Sequence, residues 1–222
     1  MSYFTIDEVA DSDAKYFLAL AYKNGTNVIP TDYSEYERLL KVSSRSGNVK
    51  AMAVLAREYL QGNHLAVNQE EAARLYKELA NLGSSSAQFE IGAMYAMGVG
   101  VAQDIDAAVV CWRRAALSNN TSAYQSLLSF WRLRKDAKSM YEMAHMYLNN
   151  DNKAITMLRE AAQLNHIKAQ YELGVILFGG IHRSEGIEWL VRAAQGDSID
   201  ANKLIDLIYE MESVSDSVDS VS

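Results

Sequence analysis

Alanine at positions 51, 87 and 123 opens related stretches at a fixed spacing of 36 residues. AMAVLAREYLQG (51–62) and AQFEIGAMYAMG (87–98) share Ala first, an aliphatic fifth, Ala or Gly sixth, Tyr ninth and Gly twelfth. AKYFLALAYKNG (14–25) obeys the same rule, and AQYELGVILFGG (169–180) obeys it with Leu177 in place of tyrosine. A period of this length dictates an array of small supersecondary units, because one unit cannot bury its own apolar face and must stack on its neighbours. Helix formers dominate, no segment sustains period-2 alternation, and one proline with twelve glycines is too few for a many-turned β protein. The fold class is therefore all-α.

Each unit has a second half. EEAARLYKELANLG (70–83), DAAVVCWRRAALSN (106–119), NKAITMLREAAQLN (152–165) and SEGIEWLVRAAQG (184–196) carry apolar residues three and four apart, as amphipathic helices do. The small sixth residue of the first helix and the late Ala-Ala of the second let two backbones approach. Tyr59, Tyr95, Leu75, Cys111 and Trp112 fill the remaining space. Gly83, Gly196, Asn119 and Asn165 stand where a helix ends in a left-handed residue. Gly98 and Gly100 do not form a dinucleotide cradle, since a helix precedes them and Gln103 replaces the third glycine. They stop one helix and free a turn, and Asp104 caps the next helix.

The full pattern, A-x-x-x-hydrophobic-G/A-x-x-Y-x-x-G followed by a Gly-rich loop, Asp and a helix ending in Ala-Ala, resembles the Sel1-like repeat family, a relative of the tetratricopeptide repeats. The resemblance implies a right-handed superhelical solenoid of antiparallel helix pairs that binds protein or peptide in a concave groove. It brings no common catalytic residue. Units fall at 14–50, 51–86, 87–122, 139–168 and 169–200, with a helix capping the array at 201–212. From Ala123 to Ser139 is an interval of only 16 residues, so 123–138 is a partial unit, a first helix without its partner. In the next unit the inter-helix loop shrinks to Asp151–Asn152. The solenoid thus spans 1–212, and Ser/Asp-rich residues 213–222 compose a disordered tail.

A net charge of −7 disfavours a nucleic-acid backbone as partner and suits a basic protein surface. Cys111 is the one cysteine, so no internal disulfide forms, and on the apolar seam it is a small hydrophobe. No run approaches 18 apolar residues and the acidic start is not a secretory signal, which together predict a cytoplasmic protein with no membrane partner. His64, His145, His166 and His182 lack metal-ligand spacing, and His64 and His182 fall in loops as solvated side chains. Neither metal nor other cofactor is expected, and the chain is not expected to be an enzyme. It is expected to be a monomer or weak dimer.

By analogy with tetratricopeptide solenoids, the third, seventh, tenth and eleventh positions of each alanine-led motif face a partner. The third position reads Tyr16, Ala53, Phe89, Gln125, Tyr141 and Tyr171, the seventh adds Arg57 and His145, and the tenth adds Arg132 and Phe178. Aromatics at four of six third positions form either a contact ladder or rings buried between units. Two functions fit: a cytoplasmic adaptor gripping a protein or peptide, or a dedicated inhibitor, such as an immunity protein, that blocks one toxin or enzyme.

Overall fold

The computed structural model describes residues 11–147 and 151–219, except for the side chains of 151 and 212–219. The described residues form twelve α-helices and no strand. They are α1 (Ser12–Asn24), α2 (Tyr33–Arg45), α3 (Val49–Gln61), α4 (Gln69–Asn81), α5 (Ser85–Met97) and α6 (Ile105–Leu117). After them come α7 (Thr121–Arg134), α8 (Ala137–Met146), α9 (Asp151–Gln163), α10 (Ile167–Phe178), α11 (Arg183–Gln195) and α12 (Ile199–Asp219). The alanine-led stretches form A helices (α1, α3, α5, α7, α8, α10, α12), and their partners form B helices (α2, α4, α6, α9, α11). Each B helix packs on its own A helix, and α2, α4, α9 and α11 also pack on the A helix that follows. No helix among the described residues is long and apolar enough to cross a membrane.

Local chemistry sets the helix starts. Three residues before each motif's first position stands a capping side chain: Asp11, Asn48, Ser84, Asn120, Asp136, His166 and Ser198. Each accepts a hydrogen bond from a backbone N–H of the first turn, as from Ala51 to Asn48 at 3.0 Å and from Ala123 to Asn120 at 2.9 Å. Asp32, Asn68 and Asp104 do the same for α2, α4 and α6. The backbone N–H of each of these three donates to the carbonyl of the ninth motif residue, Tyr22, Tyr59 or Tyr95, at 2.9 to 3.0 Å. One bond thereby fixes the A-to-B turn in three units.

The small sixth residues do bring backbones together. A Cβ on Gly92 would lie 2.6 Å from the Trp112 indole, and one on Gly174 would lie 2.8 Å from Leu190 Cγ and 3.0 Å from the Gly186 carbonyl. Gly100 (φ +65°) serves two needs, since a Cβ there would also come within 2.0 Å of the Gln69 carbonyl at the start of α4. Asn119 and Asn165 are left-handed (φ 63° each), as is Gly83 (φ 90°). Gly196 corrects the sequence expectation: it keeps negative φ, and Asp197 (φ 65°) makes the left-handed turn. Gly196 is small for another reason, because its Cβ would fall 2.9 Å from Ile167.

Other expectations also change. Asp151 and Asn152 open α9 rather than forming a loop, and the α8–α9 connection lies in 148–150, outside the described residues. Helix α12 runs to Asp219, through most of the segment whose composition suggested disorder, and 220–222 lie outside the described residues. A packed stem extends a helix cheaply, one bond per residue fixed. Helix α7 has no B partner, because α8 begins two residues after it, with Lys135 (φ 53°) at the turn. The chain divides within α7 into two compact units, residues 1–125 and 126–222, where the repeat suggested one continuous array.

His64 is not a solvated loop residue. Its Nδ1 lies 3.1 Å from both carboxylate oxygens of Glu58, and its backbone N–H donates to Glu58 Oε2 at 3.2 Å. Glu58 is 2% exposed, at the eighth motif position, which is Met94 in α5. Lys23 Nζ and the Tyr36 hydroxyl each donate to its Oε1 at 3.1 Å. Burial pushes the Glu58 carboxyl up, but hydrogen bonds from Lys23 and His64, the Lys23 charge and the Tyr36 hydroxyl outweigh it. The carboxyl sits below its ordinary value of 4.5.

Candidate functional site

Within the first unit Tyr16 (α1) packs against the edge of the core, and Arg57 (α3) and Phe89 (α5) are not among its buried residues. Tyr16 and Phe89 are partly exposed and Arg57 is exposed. No hydrogen bond, ion pair or ring contact joins the three among the described residues. Tyr16 instead meets Phe17, ring centroids 5.4 Å apart, and Phe17 is 60% exposed.

The second unit draws its candidates together. The Tyr141 hydroxyl on α8 donates to Glu172 Oε1 on α10 at 2.7 Å, and His145 Nε2 lies 3.0 Å from Glu172 Oε2. The rings of Tyr141 and His145 meet edge to face at 4.7 Å, and His166 stacks on Tyr141 at 4.5 Å. Burial, then the Glu172 carboxylate, pushes the Tyr141 phenol up to about 12. Beside this cluster lies a hollow of about 320 Å³ with Ala144, Ala154, Ile155, Leu158 and Ile176 in its walls and His145 and Glu172 at its polar side.

The remaining candidates disperse. Arg132 pairs with Glu160 of α9, a B helix, so its charge is engaged away from the cluster. Phe178 lies under the Arg183 guanidinium, 4.5 Å from the ring centroid. Tyr171 is partly exposed and borders a second hollow between the starts of α10 and α12, with Lys168 and Ile199. Among the described residues no three His, Cys, Asp or Glu side chains converge as metal ligands. Burial raises the Cys111 thiol, leaving it a poor nucleophile.

Glu172 is not marked by the partner-facing sequence pattern, and His166 stands out in the sequence only as a histidine without metal-ligand spacing. Glu172 occupies the fourth motif position, which also reads Glu90 and Glu142. Carboxylates recurring at one helical position were the available signal. His166 is hidden by its role as the N-cap of α10, where its Nδ1 accepts from Ala169 N–H at 3.2 Å. The proton of the neutral ring must then sit on Nε2. Burial, with the Lys168 charge, pushes this imidazole below 6.5, while Glu172 and Glu142 pull it up more weakly.

A group depressed in the fold stays neutral there after it has gained a proton in the unfolded chain. Its contribution is complete above pH 6.5 and declines as pH falls from 6.5 through the lowered folded value. Asparagine caps without titrating. The stability difference between wild type and His166→Asn should therefore shift toward the variant between pH 7 and 5, by about 1 kcal/mol, the worth of a cap. Urea unfolding across that range checks it, and a flat difference would mean that the bond from Ala169 N–H to His166 Nδ1 adds nothing to stability.

A family model described as Sel1 repeat matches residues 12–35, 49–84, 85–120, 137–166 and 167–198, passing over the whole of α7. An uncharacterized protein, NMB1327, of Neisseria meningitidis serogroup B is 29% identical over 69% of this chain and 37% of its own length. DAP3-binding cell death enhancer 1 of Rattus norvegicus is 25% identical over 68% of this chain and 31% of its own length. The chain thus spans about a third of these curated relatives. Among solved structures, c5321, a protective antigen of uropathogenic Escherichia coli with an SLR fold, superposes with a TM-score of 0.51 at 23% identity. It covers 90% of this chain and 49% of its own. A Sel1 repeat protein of Oxalobacter formigenes gives 0.50 at 21% identity, covering 93% of this chain and 81% of its own. Both share the fold.

Proposed function

The chain belongs to the Sel1 repeat family, whose repeats are generally protein–protein interaction modules, and from that premise we propose that it binds a protein or peptide through its A helices. The observation that carries this reading is the state of the third motif positions. Tyr16, Phe89, Tyr141 and Tyr171 remain partly exposed, while the fifth positions Leu55, Ile91, Leu127, Met143 and Leu173 are at most 2% exposed and Leu18, in the first motif, is partly buried. Rigid aromatic area held at a surface is the material of interface hot spots. The rat relative is named for binding a protein, DAP3, which supports a binding role. The net charge of −7 favours a partner with a basic surface. The proposed setting is the cytoplasm and the proposed role a non-enzymatic adaptor.

Tagged wild type, Phe89→Ala and Tyr171→Ala serve as baits for capture and mass spectrometry, followed by affinity measurement on what is captured. Each substitution should weaken partner binding tenfold or more, the scale of a truncated hot spot, and leave the melting temperature within a few degrees. Unchanged capture, or a loss that merely tracks unfolding, would overturn the aromatic surface as the site. Tight capture of one folded enzyme, in preference to extended peptides, would replace the adaptor with a dedicated inhibitor.

A further inference from the structure

The hollow between α8, α9 and α10 has a volumetric origin. In α5–α6 and α10–α11 the sixth residue of the A motif faces the fourth and eighth residues of the B helix, and the repeat puts equivalent residues at these positions in the other pairs. These triplets are Ala19–Tyr36–Leu40, Ala56–Ala72–Tyr76, Gly92–Ala108–Trp112 and Gly174–Gly186–Leu190. The first three each contain a large ring. The fourth has two glycines close enough that a Cβ on Gly174 would lie 3.0 Å from the Gly186 carbonyl, so the helices close the space themselves. In α8–α9 the triplet is Ala144–Ala154–Leu158, with neither a ring to fill the seam nor a glycine pair to shut it. The hollow of about 320 Å³ lies at this triplet.

Its walls are apolar and its polar side presents the Glu172 carboxylate. Glu172 is held by the Tyr141 hydroxyl and His145 Nε2, yet its side chain remains 31% exposed, so lone pairs are open to a further donor. We infer that this hollow is a socket for a lysine side chain of the bound protein, its methylene stem against Leu158, Ile155 and Ile176 and its ammonium at Glu172. Lysine suits a site with an apolar depth and a wet anionic rim, because its stem buries while its head stays hydrated. A bidentate guanidinium needs room at both oxygens, beside Tyr141 on one and His145 on the other, whereas a point charge needs room at one. The socket deepens the reading of the A helices as a binding surface and rests on it.

The probes are Nα-acetyl-lysine amide and its uncharged counterpart Nα-acetyl-norleucine amide, followed by methyl NMR of Leu158, Ile155 and Ile176. The lysine probe should shift these methyls saturably and bind about threefold to fivefold tighter than norleucine, the range of a half-exposed ion pair. Glu172→Gln should level the two. Leu158→Tyr recreates the α4 triplet, so it should fold as α3–α4 does and abolish binding of both probes. Equal or tighter binding of norleucine to wild type would make the hollow a plain apolar pocket. Binding retained by Leu158→Tyr, or no shift with either probe, would remove the socket altogether. If the socket fails while Phe89→Ala and Tyr171→Ala still impair capture, the binding surface stands without it.

Discussion

Gly92→Leu should destabilise the first unit by about 3 kcal/mol, the upper part of the range for overpacking. Intrinsic propensity works the other way, since replacing a mid-helix glycine by a helix former gains about 1 kcal/mol. The clash has to exceed that gain, and the geometry makes it do so. The first added carbon already lies 2.6 Å from Trp112 Cδ1 and Nε1 and 3.2 Å from the Ala108 carbonyl, and leucine brings three more. The indole cannot yield easily, because it is the ring that fills the α5–α6 seam. Gly92→Ala is the graded control, with a smaller loss in which propensity and clash partly cancel. Denaturant unfolding of both variants provides the comparison, and a leucine tolerated without cost would mean that the two helices do not hold this separation.

Glu58→Ala should cost about 3 kcal/mol, the low end of what breaking a buried charge pair costs, because Lys23 and His64 keep partial access to water. Deleting the carboxylate leaves the Lys23 ammonium, the buried Tyr36 hydroxyl and the His64 backbone N–H without their shared acceptor. Because the folded carboxyl is held below 4.5, its contribution is complete above that pH and fades as pH falls through the lowered value. The gap between wild type and variant should therefore narrow in acid. Glu58→Met, which imports the residue of α5, combined with Tyr36→Phe removes an orphaned hydroxyl as well as the charge. The pair should cost less than the two single changes added together. Additive losses in urea unfolding would show that Glu58 and Tyr36 are not coupled.

Much of the fold was legible because it is local and repeated. The alanine-led spacing identified the A helices, the small sixth residues their close approach to B helices, and Asp104 the start of α6, where it accepts from Ala107 N–H at 2.9 Å. Capping and helical periodicity act within one turn, so a short stretch of sequence contains both partners of each interaction. The left-handed turn at Asp197 was missed for a physical reason. Glycine is the usual residue there, but Gly196 was required one position earlier to admit Ile167, and aspartate tolerates the conformation.

The candidate site was legible only in part. The aromatic third positions and His145 followed from the repeat, yet their grouping did not, since Tyr141 meets Glu172 across 31 residues of sequence while Arg132 turns to Glu160. By itself the sequence determined the helices, their pairing partners and the faces that must be small, because each is written as a periodic pattern of residue type. The tertiary structure alone decided that His64 closes on a buried Glu58, that the chain divides within α7, and that a hollow lies beside Leu158. Those depend on which side chains from distant turns share one volume, and on whether their combined bulk fills it.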